Sequence, residues 1–161
     1  MPALWDTSLV SSVQPNTDEL AHVLDQAAAG TPVSVAAPAI LEVTYGYQRK
    51  AANDPRFQTL LDWFVRFTAS EGFEVVPLDG RAAVVAGRMR AQARHAPAAV
   101  KGDNRSKTMR QASWLLDIQI AACAFAAGLD VATTNRRDFE QLAELLSNLF
   151  PHAPALAVAG H

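Results

Sequence analysis

Short apolar segments that alternate with longer, helix-like ones constrain this chain more than any other feature. Strands are predicted at residues 2–5, 33–36, 73–77 and 130–134, with a candidate edge strand at 155–158. Parallel strands need a long crossover, which a helix usually supplies, so this alternation predicts a parallel sheet covered on both faces. The expected fold is α/β, a three-layer α/β/α sandwich around a central, mainly parallel sheet of four to five strands.

Helix boundaries follow from capping and turn residues. The predicted helices cover residues 18–29, 38–52, 79–94, 114–127 and 137–149, and a further one begins at 54. Gly30 and Gly128 end two of them, and Pro38 stands in a first helical turn, where proline is tolerated. Residues 97–113 are polar and irregular, which predicts a loop. The 161 residues contain no repeats or linker-like stretch, so we expect a single domain over residues 1–161.

Charge is distributed unevenly along the chain. The net charge is −2, yet no Lys or Arg precedes Arg49. The stretch from Arg81 to Arg110 carries eight basic residues and a single acid, Asp103. Such a segment can attract phosphates, although a solvated helix face followed by a polar loop has the same composition. Charge alone therefore leaves nucleic-acid contact and an ordinary surface open.

The sequence also carries signs of cellular location. A single cysteine, Cys123, cannot form an internal disulfide and fits a reducing compartment. No apolar run is long enough to span a bilayer, and the N-terminus lacks the pattern of a signal peptide. We expect a cytoplasmic protein without a membrane partner.

Two acids lie near the predicted carboxyl edge of the sheet, where binding sites of such folds form. Asp6 follows the first strand in the sequence Leu-Trp-Asp-Thr-Ser, and Glu42 lies one turn into an apolar helix. Each has an ordinary structural explanation. An Asp after a strand is a common turn former, and a Glu near a helix start favours the helix dipole or reaches solvent.

Asp117 is harder to explain structurally. It is the only charged residue in the predicted helix 114–127. A helix that is apolar on all sides is buried, and a lone buried carboxylate is unfavourable unless a metal ion or an Arg compensates it. The position therefore favours a functional role.

A fourth acid, Asp138, follows the strand at 130–134 in the sequence Thr-Asn-Arg-Arg-Asp-Phe. It can be read as a helix N-terminal acid alone. Asn135, nearer the strand end, is a candidate polar ligand or a hydrogen-bond partner of a ligand, and Phe139 is expected in the core. A set of carboxylates suits Mg²⁺ or Mn²⁺ rather than zinc, and the four histidines show no ligand spacing.

Four short motifs together resemble a known family. They are Asp-Thr-Ser at Asp6, Glu-x-x-x-Gly at Glu42, Asp117 in a helix that continues as Ile-Ala-Ala, and the segment Thr-Asn-x-x-Asp-Phe around Asp138. In this order, over nearly the whole chain, they look like the PIN domain. More closely, they are similar to VapC-type toxins of bacterial toxin–antitoxin pairs.

The resemblance implies a PIN-like α/β/α sandwich and a Mg²⁺- or Mn²⁺-dependent endoribonuclease that acts on RNA. It also implies a homodimer and neutralisation by a small antitoxin encoded alongside. Carried over residue by residue, Asp6 and Asp117 are the main metal ligands, and Glu42 completes the cluster and helps to orient water. Asp138 is the fourth acid, with Asn135 beside it.

The chain departs from the family pattern in two places. Polar residues follow Asp6 where the family usually continues with apolar ones, and Leu116 stands where a polar or turn-forming residue often precedes the third acid. Family members also differ over whether the fourth ligand is the residue at Asn135 or the one at Asp138. The fourth position is therefore left open.

Other function classes fit the sequence less well. A haloacid dehalogenase phosphatase needs a second Asp at Ser8, and a response-regulator receiver needs a Lys beyond Lys107, the last in the chain. Phosphate-loop and dinucleotide glycine patterns are absent, as is the Gly-x-Ser-x-Gly elbow. The remaining alternative is a catalytically inactive PIN-like module that binds RNA or a protein partner.

Overall fold

Five parallel strands form the centre of the fold in this computed structural model, which describes residues 2–160. Met1 and His161, the outermost residues of the expected domain, lie outside the described residues. The strands are β1 (Ala3–Trp5), β2 (Val33–Ala36), β3 (Phe73–Val76), β4 (Asp130–Thr133) and β5 (Val158–Gly160). The predicted mainly parallel sheet of four to five strands is confirmed.

The strands are ordered β3-β2-β1-β4-β5 across the sheet, and this order determines where a binding crevice can form. The chain moves outward from β1 through β2 to β3, then returns to the other side of β1 for β4 and β5. Leu4 of β1 is accordingly paired with Ser34 on one side and with Val131 on the other. Because the order reverses next to β1, a crevice opens beyond the carboxyl ends of β1 and β4.

Seven helices of the described part of the chain pack around this sheet. They are α1 (Thr7–Val10), α2 (Asp18–Ala28), α3 (Ala37–Ala51), α4 (Pro55–Ala69), α5 (Gly80–Gln92), α6 (Lys107–Ala127) and α7 (Arg136–Leu149). The Thr17 hydroxyl caps α2 by accepting from the Leu20 amide at 3.2 Å. Gly128 ends α6 with φ +70°, a left-handed conformation that favours glycine.

Both faces of the sheet are covered. All four residues of β2 are buried, although successive strand residues point to opposite faces. The same holds for the last three residues of β4. Phe139 is fully buried, as expected. The three-layer α/β/α sandwich is therefore confirmed, and among residues 2–160 no helix is long and apolar enough to cross a membrane.

Three local predictions were incomplete or wrong. Residues 107–113, expected in a loop, form the first two turns of α6, because the Ser106 hydroxyl caps this helix by accepting from the Met109 amide at 3.1 Å. The short helix α1 was not predicted. The edge strand lies at Val158–Gly160, where it pairs with β4, rather than at 155–158.

Candidate functional site

Asp6 ends β1 and begins α1. Its backbone is extended, and its Oδ1 accepts hydrogen bonds from the Leu9 amide at 3.2 Å and from the Ser8 hydroxyl at 2.6 Å. Its Oδ2 accepts from the Thr133 hydroxyl at the end of β4. Asp6 therefore does cap a turn, as its structural explanation suggested. Its carboxylate also lies at the crevice beyond the carboxyl ends of β1 and β4.

Burial controls the proton affinity of Asp6. The residue is only 3% exposed, and this burial raises the pKa of its carboxyl above the ordinary value of 3.8. The hydrogen bonds from Ser8, Thr133 and Leu9 act in the opposite direction, because they stabilise the charged form. Their combined effect does not cancel the burial, so a cation beside this carboxylate would be favourable.

Glu42 reaches the same region from α3. Its Oε2 accepts a hydrogen bond from the Thr7 hydroxyl at 2.7 Å, and its Oε1 accepts from the Ser113 hydroxyl at 3.2 Å. The two donors belong to α1 and α6, so the carboxylate bridges three helices. It is half-buried and held in place.

Asp117 lies in the middle of α6 and is partly exposed. Burial of its carboxyl raises its pKa well above 3.8, and the negative charges of Glu42, Asp6 and Asp138 raise it further. Arg105 acts in the opposite direction. Among the described residues no donor forms a hydrogen bond with this carboxylate. The negative charges of the other three predicted acids thus act on Asp117, which is the one of the four without a hydrogen-bond donor among residues 2–160.

The two candidates for the fourth position are bonded to each other. The Nδ2 atom of Asn135 donates to Oδ2 of Asp138 at 3.0 Å. Asn135 precedes α7, and Asp138 lies in its first turn. An amide that donates to a carboxylate fixes the orientation of that carboxylate, so the two side chains lie together at the candidate site.

A pocket of about 170 Å³ opens beside these acids. Asp117, Asn135 and Asp138 lie on its wall, whereas Asp6 and Glu42 lie outside the lining. The segment between α5 and α6 forms another part of the wall. Gln111 anchors that segment, because its side chain accepts from the Ala96 amide at 2.8 Å and donates to the Arg94 carbonyl at 2.7 Å.

The donor set fits a hard divalent cation by its chemistry. Among residues 2–160, no three acidic, His or Cys side chains converge into a preformed metal cluster. Mg²⁺ does not require one, since it keeps several waters and binds through one or two carboxylates. The partnerless carboxylate of Asp117, with its raised pKa, is the group that such an ion would satisfy best.

Several site residues were missed by sequence reasoning. They are the hydroxyl donors to the acids and one arginine of the pocket wall: Thr7, Ser8, Ser113, Thr133 and Arg137. The other two arginines of the wall, Arg105 and Arg110, belong to the basic stretch that the sequence had singled out. Ser113 and Arg110 lie four and seven residues before Asp117. That spacing puts them on one helix face. The spacing of these residues is present in the sequence, but it can be recognised as one helix face only when α6 is known to begin at Lys107.

Comparison with known proteins agrees with this architecture. The PIN domain family matches residues 3–145. No curated protein sequence matches the chain. Among solved structures, VapBC2 from Rickettsia felis, bound to a DNA fragment from its promoter, is similar with a TM-score of 0.60 and 18% identity, covering 100% of this chain and 99% of that one.

Two further structures are similar over nearly their full length. DNA-bound VapBC from Salmonella typhimurium has a TM-score of 0.58 and 19% identity, with 99% of this chain and 98% of that chain covered. FitAcB from Neisseria gonorrhoeae has a TM-score of 0.56 and 20% identity, with 97% and 95% covered. At these identities the likeness concerns the fold. The family match over most of the sequence is what shows that this chain belongs to the PIN domain family.

Proposed function

We propose that this chain is a Mg²⁺- or Mn²⁺-dependent endoribonuclease, the toxin of a type II toxin–antitoxin pair. The observation that carries the proposal is the environment of Asp117, a carboxylate that has no hydrogen-bond donor among residues 2–160 and lies in the combined field of Asp6, Glu42 and Asp138. Such a concentration of negative charge is unfavourable alone and becomes favourable around a divalent cation. The PIN domain match supports the nuclease assignment.

In this proposal the four acids together hold the cation, directly or through its bound waters, and orient the attacking water. When bound, the cation would lower the pKa of a water and offset charge on the phosphate. Asp117 and Asp138 would approach it from the pocket wall, and Asp6 from the end of β1. Glu42, held by the Thr7 and Ser113 hydroxyls, would orient the attacking water.

The substrate side of the proposal rests on positive charge. The basic residues between Arg81 and Arg110 include side chains of the wall that faces Asp117, so an RNA backbone drawn along this segment would reach the acids. A dimer mate would complete the groove. We take residues 1–161 as one nuclease domain that works in the cytoplasm as a homodimer.

Neutralisation by a small antitoxin follows from the same pocket. An Arg from a partner protein could pair bidentately with the carboxylates and block both cation and substrate. Two of the similar structures are named VapBC2 and VapBC, and the sequence motifs of this chain resemble VapC-type toxins, which supports the expectation of such a partner here. Co-purification with the product of the neighbouring gene would identify it.

The test is RNA cleavage by Asp117→Asn. A mixed RNA pool is incubated with the wild-type protein and the variant in Mg²⁺, in Mn²⁺ and in a chelator, and fragments are resolved on a gel. We expect cleavage by the wild type only when metal is present, and none by Asp117→Asn. The matched control is Asp62→Asn, because Asp62 is exposed on α4 and bonded only to Gln58.

The outcomes separate the two functional classes. Full activity of Asp117→Asn would sink the proposal, provided that Asp62→Asn is also active. A wild-type protein that binds the RNA pool but never cleaves it would instead favour the inactive RNA-binding module. Harmless expression of the wild type without its antitoxin would argue against the toxin role.

A further inference from the structure

Three arginines line the pocket beside the acids. Arg105 lies in the segment before α6, Arg110 in the first turns of α6, and Arg137 in the first turn of α7. They come from different parts of the fold and meet Asp117 and Asp138 across a small cavity. A pocket that holds acids and guanidinium groups side by side can bind a cation and an anion together.

Arg110 is the least satisfied of the three. Its Nε atom is buried and has no hydrogen-bond partner in the described part of the chain. Buried donors are almost always paired, so an unpaired one calls for an explanation such as a missing ligand. Asp103 interacts only weakly with Arg110, because it owes its lowered pKa of about 2 chiefly to Arg105 and least to Arg110.

Helix geometry directs Arg110 toward the same side as Asp117. The two residues are seven apart on α6, and Ser113 and Trp114 lie between them on the same face. Seven residues correspond to about 10 Å of helix. Arg110 therefore lies on the site wall but two turns away from the acid, close enough to contact the same ligand and too far to neutralise the carboxylate directly.

The flanking arginines are held in place by other contacts. Arg105 pairs with Asp103 through Nε at 3.1 Å and Nη2 at 3.0 Å, while Nη2 of Arg137 donates to the Ala98 carbonyl at 3.0 Å. Each guanidinium has five N–H donors, so both keep donors for a ligand. Fixed guanidinium groups suit phosphate better than flexible ammonium groups do.

We propose that Arg110, flanked by Arg105 and Arg137, forms a phosphate-binding subsite for the RNA phosphodiester next to the one that is cleaved. This inference rests on the proposed ribonuclease function and adds to it a residue that positions the strand. The phosphate oxygens accept from the Arg110 guanidinium and from the free donors of its neighbours. The adjoining phosphodiester is thereby placed at Asp117 and Asp138.

The first test measures RNA binding without cleavage. A fluorescein-labelled single-stranded RNA of mixed sequence is titrated in a chelator at several salt concentrations. Arg110→Gln should weaken binding about tenfold, since it removes a charge-assisted hydrogen bond. It should also reduce the slope of log affinity against log salt by about 0.7, the value for one phosphate contact on a single strand. Arg110→Lys should keep most of the slope.

The matched control is Arg56→Gln. It removes the same charge from α4, where Arg56 is 89% exposed and paired with Asp54. We expect its RNA affinity and salt slope to equal those of the wild type. Equal affinity and slope in Arg110→Gln and Arg56→Gln would overturn the inference. Urea unfolding of each variant checks the fold, and Arg110→Lys supplies the comparison if Arg110→Gln is unstable.

The second test locates the contact and its source. The Nε–H resonance of Arg110, assigned by its loss in Arg110→Gln, is followed by NMR during titration with the RNA and, separately, with inorganic phosphate. The inference requires a shift with the RNA. A shift with inorganic phosphate alone, without an effect of Arg110→Gln on RNA binding, would show a free-phosphate site and overturn the RNA assignment.

The binding data also distinguish this inference from the proposed function. Asp117→Asn should bind the RNA at least as tightly as the wild type while cleaving none. If the wild type never cleaves RNA but Arg110→Gln still weakens binding, the nuclease proposal fails and the subsite stands. If cleavage is confirmed and Arg110→Gln binds normally, the subsite fails alone.

Discussion

The hydroxyl of Thr133 donates a hydrogen bond to Oδ2 of Asp6 and so joins the carboxyl ends of β1 and β4 at the candidate site. Both residues are buried, and the Thr133 hydroxyl also accepts a hydrogen bond from the backbone amide of Asn135 at 2.8 Å. One side chain thus links the first acid to the turn that carries Asn135. Because 127 positions separate the two residues in sequence, this link exists only in the folded chain.

Thr133→Val should test that link. The substitution keeps the shape but leaves a buried carboxylate oxygen and a backbone amide without their partner, which costs about 1–3 kcal/mol in the free energy of unfolding. Loss of the Thr133 hydrogen bond should also raise the pKa of Asp6 further, because that bond stabilises its charged form. Urea unfolding measures the first effect.

The pH dependence of cleavage measures the second effect. The acidic limb of the profile should move to higher pH in Thr133→Val, and Thr133→Ser, which keeps the hydroxyl, should restore it. A variant as stable as the wild type with an unmoved acidic limb would contradict the assigned role of this hydrogen bond.

Stability should fall as the pH rises above the acidic range. Burial raises the pKa of Asp6 and of Asp117 in the native state above 3.8, the value expected in the unfolded state. At any pH between the unfolded and the native pKa of such a group, the native state therefore binds more protons than the unfolded state. The free energy of unfolding therefore decreases with pH across this window. The measurement is urea unfolding above a pH of about 5, where Asp103, with its pKa of about 2, is ionised in both states.

Asp117→Asn should flatten this profile, because it removes the more strongly shifted group. Asp62→Asn should leave the slope as in the wild type. A saturating concentration of Mn²⁺ should stabilise the wild type at neutral pH, by about 2.7 kcal/mol at a hundredfold excess over its Kd, and should stabilise Asp117→Asn less. An unchanged slope in Asp117→Asn would show that this carboxyl is not the one that titrates.

The pair Asn135 and Asp138 predicts unequal effects at the fourth position. Asp138→Asn removes a carboxylate and should nearly abolish metal-dependent cleavage. Asn135→Ala leaves the carboxylate but removes the donor that orients it at 3.0 Å, so activity should fall roughly 10- to 100-fold. Initial rates as a function of Mn²⁺ concentration would show a higher metal requirement in Asn135→Ala. A larger loss in Asn135→Ala than in Asp138→Asn would make Asn135 the ligand.

The cap of α6 should matter for function as well as for stability. Ser106 and Thr17 cap α6 and α2 with similar hydrogen bonds, and replacing either by Ala should lower the free energy of unfolding by about 1 kcal/mol. Only Ser106→Ala should also reduce RNA cleavage, because the turns it stabilises carry Arg110 and Ser113. Equal cleavage rates in Ser106→Ala and Thr17→Ala would show that the first turns of α6 do not contribute to the site.

Local sequence patterns were sufficient to predict the fold class and to single out one acid, Asp117, as a candidate site residue. Strands and helices of this length are set by apolar periodicity and by caps such as Gly128, which act within a few residues. Asp117 could be singled out as a candidate for the same reason, since its isolation in an apolar helix is itself local. The Ser106 cap was equally local but was overlooked, and the start of α6 was therefore misplaced by seven residues.

Only the tertiary structure decided how the acids are arranged. The sequence placed Asp6, Glu42 and Asp138 near a common edge, but not their partners, because those partners are brought close by strand order and helix packing. Ser113 meets Glu42 across 71 positions, for example. The sequence by itself determined which residue types are present and in which elements they lie. Within residues 2–160, the Asp117 carboxylate has no hydrogen-bond donor and the Nε of Arg110 has no acceptor. Both features arose from packing, since burial and hydrogen bonding depend on neighbours distant in the chain.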